Sequence, residues 1–425
     1  MSRRDILFGL VLGIAAAAHA IAAARGGEGV DFFHYWMVPH LFAVGEGPGV
    51  YDADGSGRLR GRLAEALGRD SQRDPYRDRA ASYWQEFQVT NTPLCYLLLS
   101  PFATRDFATG RLAFQYLSVA FLLGAPLVLG RLCGLPWLDG VVAAAAAIFG
   151  FECVASDIRM GNINGMLLGW MTAAAWLGSR PDVRPWGFVA GGLLGLAACF
   201  KPIVGLVCLV VPAYRLARGD RRRAIDEGIG IAGGLAAGVL IPMLAIDGGI
   251  WQAWLGRIRS FDWITHSRVA AGNVSLVEFV LERGGPDLGL PLLAAVASVV
   301  GIGLVIRHGH RDRGPEAASP DDGLVGAIAI GLLAYLLTAR LAWLHYYVLA
   351  IPSLLFLAGR IRSGRPAWFV IASLAAAVAI AVKPVLQATA LYDPVLTMGM
   401  MVAGGWVAFG LVLRELLVAE APCGA

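Results

Sequence analysis

The sequence predicts an all-α polytopic membrane protein of about eleven to twelve transmembrane helices, and three observations carry that expectation. Apolar runs of roughly 15–23 residues recur along most of the 425-residue chain, the lengths a helix needs to cross a bilayer core. Hydrophobic residues make up 57% of the chain and charged residues 16%, with a mean hydropathy of +0.62. The short turns between runs are basic, and with the N-terminus in the cytoplasm they all fall on the cytoplasmic side. The net charge of +4 decides little beside that placement.

The elements follow in order. Residues 5–25 come after Arg3 and Arg4 and open like a signal peptide, but the run is longer than such a region and more spans follow, so it is expected to stay as a first span. Residues 26–110 form a first outer loop, in which FFHYWMVPHLF and SYWQEFQ suit helices at the membrane interface. Gly, Pro and charge then bound spans at 111–131, ending on Arg131, at 137–152, and at 162–178 before the basic turn SRPDVR (179–184). Residues 186–200 and 202–217 make a hairpin of two arms, with Lys201 and Pro202 at its tip and RLARGDRRR (215–223) after it. Each arm reaches about 22 Å at 1.5 Å per residue, short of a ~30 Å core, so the tip stops inside the outer half of the membrane. A span at 228–247 leads to a second outer loop, 248–287. The spans 288–306, 323–339, 344–360, 366–384 and 396–418 complete the set, with a cytoplasmic linker at 307–322 and basic residues in RHGHRDR (307–313), GRIRSGR (359–365) and at Arg414. Residues 1–425 are read as a single integral-membrane domain without internal repeats or a nucleic-acid module. Membrane lipids are expected partners and nucleic acid is not. The six cysteines show no CxxC spacing and read as packing residues, although Cys95 and Cys153 both fall on the oxidising side.

The polar residues that solvation does not explain collect on the outer side. Asp31, in GVDFFHYW, is either an N-cap for the helix that follows or a partly desolvated general base. In SDIRMGNINGMLLGW, Asp157, Arg159, Asn162 and Asn164 crowd the entry of one span, either as caps with an Arg–Asp pair or as the lining of a head-group site. Asn162 and Asn164 are two apart and cannot share a helix face, so at least one belongs to an irregular entry. His345, beside Tyr346 and Tyr347, is an interfacial anchor or, protonated, a phosphate ligand, and Arg340 lies just before it. His266, Arg268 and Asn273 lie in the second outer loop, where solvation competes with binding.

The chain has only two lysines, Lys201 and Lys383, each before a proline in an apolar run. Lys383 can snorkel from the end of its span. Lys201, at a tip below the surface, calls for an anion at that depth, and a lipid phosphate fits. No GxGxxG loop, P-loop, HExxH, Cys/His metal set or GxSxG elbow is read, so neither a metal nor another cofactor is expected.

Several pieces, in order along most of the chain, resemble the integral-membrane glycosyltransferases of family 87, the polyprenol-phosphate-mannose-dependent type with GT-C architecture. They are VDFFHYWMVPHLFAVGEGPGVYD, TPLCYLLLSPFA, GNINGMLLG, FKP, NVSL and WLHYYVLAIPSLLF. The resemblance implies an inverting hexosyltransferase that moves a sugar, mannose first, from a polyprenyl-phosphate donor to a lipid or glycan acceptor on the non-cytoplasmic face of the plasma (inner) membrane. It implies Asp31 as general base and Lys201 and His345 around the donor phosphate; beside them Arg159 is expected at the phosphate, and Tyr35, Asn162, Asn164, Asn273 and Tyr346 around sugar and acceptor. An arabinofuranose donor is the alternative within that chemistry, and a lipid or solute transporter is the alternative outside it. Where the family reads GQxN this chain has Gly161-Asn162-Ile163-Asn164, and GxDPYD becomes GEGPGVYD over residues 45–52. The arginine-rich stretch from Gly55 to Arg79 is a further departure.

Overall fold

The computed structural model describes residues 3–52, 56–67, 89–180, 185–260, 273–310, 322–389 and 393–417. Within them every regular element is a helix, beside an isolated antiparallel bridge between Asn273 and Trp343. After α1 (Arg3–Gly26), the first loop folds into α2 (Val30–Ala43), a 3₁₀ turn (Gly47–Tyr51), α3 (Ser56–Leu67) and α4 (Pro93–Leu99). Then come α5 (Phe107–Leu132), α6 (Trp137–Gly150), α7 (Glu152–Met160), α8 (Asn164–Gly178), α9 (Pro185–Phe200), α10 (Gly205–Ala217) and α11 (Arg221–Ala245). The second loop holds α12 (Ile250–Ser260) and α13 (Leu276–Leu281), and the chain ends with α14 (Gly289–His310), α15 (Asp322–Thr338), α16 (Ile351–Arg362), α17 (Ala367–Ile380), α18 (Lys383–Ala388) and α19 (Pro394–Leu417).

Every span expected from the sequence has a helix. Among the described residues five helical stretches are long and apolar enough to cross a membrane, and α6 with α7 makes a sixth, bent by 71° at Phe151. The chain is an all-α polytopic membrane protein. Its outer faces agree, since Leu7, Ile14 and Leu244 on α1 and α11 stand more than 60% exposed, as side chains facing lipid would. Local chemistry sets the ends: the side chains of Thr92, Asp106, Asp220 and Ser275 accept from backbone N–H groups in the first turns of α4, α5, α11 and α13.

Small residues bring the helices together. Gly191 and Gly195 on α9 face Gly230 and Gly234 on α11, two Gly-x-x-x-Gly pairs in which any Cβ would run into a carbonyl of the opposite helix. Against the expectation of no GxGxxG, Gly228, Gly230 and Gly233 spell those letters, but they lie in mid-helix, where Gly230 packs against the Phe188 carbonyl and Gly228 has open space around it, so they form no dinucleotide-binding loop. The α9–α10 hairpin is real: Cys208 Sγ lies 3.4 Å from the Leu194 carbonyl, which requires the arms to fold back beside each other.

Most of SRPDVR and the side chains of RHGHRDR lie outside the described residues, and the predicted basic turns within them share one end of the bundle. There Arg215 pairs with Glu227 at 3.1 Å and donates to the Gly178 carbonyl, Arg362 pairs with Asp139 at 2.8 Å, and Arg365 and Arg414 both meet the buried carboxylate of Glu415. The opposite end carries the unexplained polar residues.

In the first loop, α2 is buried nearly all round rather than on one face, with Phe32 and Trp36 packed against Phe107. Glu46 anchors α3 through Arg58 and Arg62, so the start of the arginine-rich stretch is an ion-paired helix. SYWQEFQ lies outside the described residues. Cys95, Cys133, Cys153, Cys199 and Cys208 are buried and free, so Cys95 and Cys153 are not bonded to each other.

Candidate active site

The site is assembled by two glycines in left-handed conformation. Gly161, at φ +67°, ends α7 and turns the chain through Asn162 and Ile163 into α8; a Cβ there would press on Phe32. Gly29, at φ +65°, opens α2, and its N–H donates to the Arg159 carbonyl at 3.0 Å. The start of α2 is thereby tied to the end of α7, which sets Asp31 against Asn162.

Asp31 does not cap its helix. Gly29 occupies that position with no side-chain cap, and Asp31 Oδ2 instead accepts from Asn162 Nδ2 at 2.7 Å. Asn162 is the hub of the cluster. Its Nδ2 also lies 3.0 Å from His345 Nε2, while its Oδ1 accepts from the Ile163 N–H at 2.7 Å and faces Lys201 Nζ at 3.5 Å. A flipped amide would set oxygen against the Asp31 carboxylate and nitrogen against an N–H and an ammonium, so chemistry fixes the orientation. His345 Nε2 must then accept, and the imidazole is neutral with its proton on Nδ1. His345 lies on the 3₁₀ turn Leu344–Ala350, with Nε2 3.9 Å from Asp31 Oδ2.

Lys201 holds an extended conformation between α9 and Pro202. Its ammonium donates to Asn164 Oδ1 at 2.7 Å and lies 4.1 Å from the ring centre of Tyr346. These partners are amide oxygens and a π face, while the carboxylates of Asp31 and Asp157 each stand one asparagine away. Asn164 Nδ2 donates to Asp157 Oδ1 at 2.9 Å and to the His345 carbonyl at 3.1 Å. Tyr35, four residues beyond Asp31 on α2, is buried with its ring 6.0 Å from Phe114.

Six predicted residues, Asp31, Asn162, Asn164, Lys201, His345 and Tyr346, are thus brought together, and Tyr35 shares the face of Asp31. Two are not. Arg159 is half-exposed and pairs with Glu152, whose carboxylate also lies 3.8 Å from Lys383. Asn273 is spent on backbone: its amide donates to the Arg340 carbonyl and accepts from the Ala342 N–H, and Ser275, on the Ala339 carbonyl, and the Glu278–Arg340 pair continue the same strap. His266 and Arg268 lie outside the described residues.

Sequence reasoning missed the supports. Arg111, fully buried, donates to the carbonyls of Ala24 and Gly27 and to Gln115 Oε1, and Gln115 Nε2 donates to the Ile158 carbonyl at 2.8 Å. Their i,i+4 spacing in an otherwise apolar helix is the signal that could have found them.

A base with its side chain 17% exposed and a buried cation, bridged by one amide, can take a proton at one point and stabilise a departing anion at another. The family model for glycosyltransferase family 87 matches residues 90–335. Asn162, Asn164, Lys201 and Asn273 lie within the match; Asp31 and His345 lie outside it and reach it through Asn162. No curated protein and no solved structure matches the chain.

Proposed function

The chain belongs to glycosyltransferase family 87, and on that premise we propose that it transfers a hexose, mannose first, from a polyprenyl-phosphate donor to a hydroxyl of a lipid or glycan acceptor. Asp31 takes the acceptor proton as the acceptor oxygen attacks the anomeric carbon, with inversion. The bond from that carbon to the phosphate oxygen breaks, and its electron pair leaves on the lipid phosphate, whose charge Lys201 stabilises. His345 is neutral while it accepts from Asn162; on taking a proton it would add a second cation. We assign this end to the non-cytoplasmic face, which the cytoplasmic basic turns support, and the membrane to the plasma membrane.

The observation that carries the reading is the Asn162 amide, which bonds the base on one side and faces the cation on the other. An ammonium held by neutral oxygens keeps its charge for an incoming phosphate.

The test is transfer by the purified protein from radiolabelled polyprenyl-phosphate mannose, or from the arabinofuranose donor, to a panel of membrane lipids. A labelled glycolipid is expected, and Asp31→Asn should lower its rate about 10²-fold or more while the protein stays folded. Near-normal turnover in Asp31→Asn removes the base, and no transfer from either donor overturns the reaction.

A further inference from the structure

Asp157 is completely buried in the last turn of α7, and both of its oxygens are bonded. Oδ2 accepts from the Gly165 N–H at 3.0 Å, which satisfies a free donor at the start of α8. A cap needs no more than that. The second oxygen is spent on a side chain, accepting from Asn164 Nδ2 at 2.9 Å. We propose that Asp157 is a positioning residue for donor binding: it locks the Asn164 amide with its oxygen toward Lys201 and so holds the ammonium where the donor phosphate arrives. This inference rests on the reading of Lys201 given under the proposed function.

An asparagine amide has nearly the same shape when flipped, so packing alone does not choose its orientation. Flipped, Asn164 would turn two N–H donors toward an ammonium that already donates. Asp157 and the His345 carbonyl both accept from Nδ2, and together they settle the choice. Lys201 Nζ is then fixed at 2.7 Å from Asn164 Oδ1, above the ring of Tyr346.

The arrangement also supplies negative charge without spending the cation. A carboxylate in direct contact with Lys201 would compete with a phosphate for the same N–H groups. Across one amide, Asp157 offsets the buried charge and leaves a direct partner still to be gained.

The experiment is a double-mutant cycle on the purified full chain, reading the affinity for polyprenyl monophosphate, which lacks the sugar, together with donor KM and kcat. Asp157→Asn keeps the volume of the side chain. It should weaken monophosphate binding and raise donor KM by about tenfold, with a smaller change in kcat. In the Lys201→Met background the same substitution should change affinity by less than about twofold. An equal loss in both backgrounds makes Asp157 a helix cap and overturns the inference. If Asp157→Asn does not fold, Asn164→Leu cuts the same relay and is read by the same two comparisons. Lys201→Met alone tests the parent reading, because unchanged monophosphate affinity there removes Lys201 from the phosphate site whatever Asp157 does.

Discussion

Replacing Asn162 by Ala separates orientation of the base from integrity of the fold. The substitution removes the 2.7 Å bond to Asp31, the 3.0 Å contact with His345, and the acceptor for the buried Ile163 N–H. An unsatisfied buried N–H costs about 1–3 kcal/mol, so the unfolding midpoint should fall by a few degrees and the protein should remain folded. A hydrogen bond to a charged group contributes about 1.5–3 kcal/mol, and if the whole of it orients Asp31 in the transition state, kcat falls about 10- to 150-fold. Donor KM should stay within about threefold, because Lys201 keeps its 2.7 Å bond to Asn164 and loses only a 3.5 Å one. Transfer kinetics on purified protein, with donor and acceptor varied in turn, measure both quantities. In an Asp31→Asn background the loss should shrink to about threefold or less, since no charged base is left to orient. Turnover within twofold of wild type, with a raised donor KM, would refute the argument by making Asn162 a donor contact.

Three further outcomes follow from the packing and the ends of the bundle. Gly195→Leu forces a side chain into the Ile231 carbonyl and should abolish monodisperse protein on size-exclusion chromatography, whereas Gly228→Ala, with open space around it, should express as wild type. Arg340→Met leaves the carboxylate of Glu278, 1% exposed, without its partner; a loss of about 3 kcal/mol is expected in thermal unfolding, and adding Glu278→Gln should restore much of it. In a cysteine-free background, a cysteine at Glu282 should react with an impermeant reagent from the non-cytoplasmic side and one at Arg222 should not; the reverse pattern inverts the proposed orientation.

The spans were legible because a bilayer demands long apolar runs and the basic turns set their alternation; even the hairpin at Lys201 followed from that bookkeeping. The cluster was legible only as types at an end. Asp31 read as a cap or a base from its neighbours, and the choice rested on Gly29 and Gly161, whose left-handed turns bring α2 to α7 across more than a hundred residues. Arg159 was misplaced because sequence proximity to Asn162 says nothing of direction: its side chain runs back two turns to Glu152. Asn273 was misread because an amide spent on backbone looks, in sequence, like one free to bind a sugar.

On the proposed polyprenyl-phosphate chemistry, the short arms around Lys201 bear on how a lipid substrate would arrive. α9 has 16 residues and α10 has 13, so they rise about 24 and 20 Å against a hydrocarbon layer of about 30 Å. A bilayer meets such hydrophobic mismatch by thinning beside the protein, which draws the head-group layer down toward the hairpin tip. A phosphate diffusing in the plane of that leaflet then reaches the depth of Lys201 without being lifted from the membrane or stripped of its tail. Enlarging the arms by a helical turn would restore the full bilayer thickness and strand the ammonium below the layer it serves.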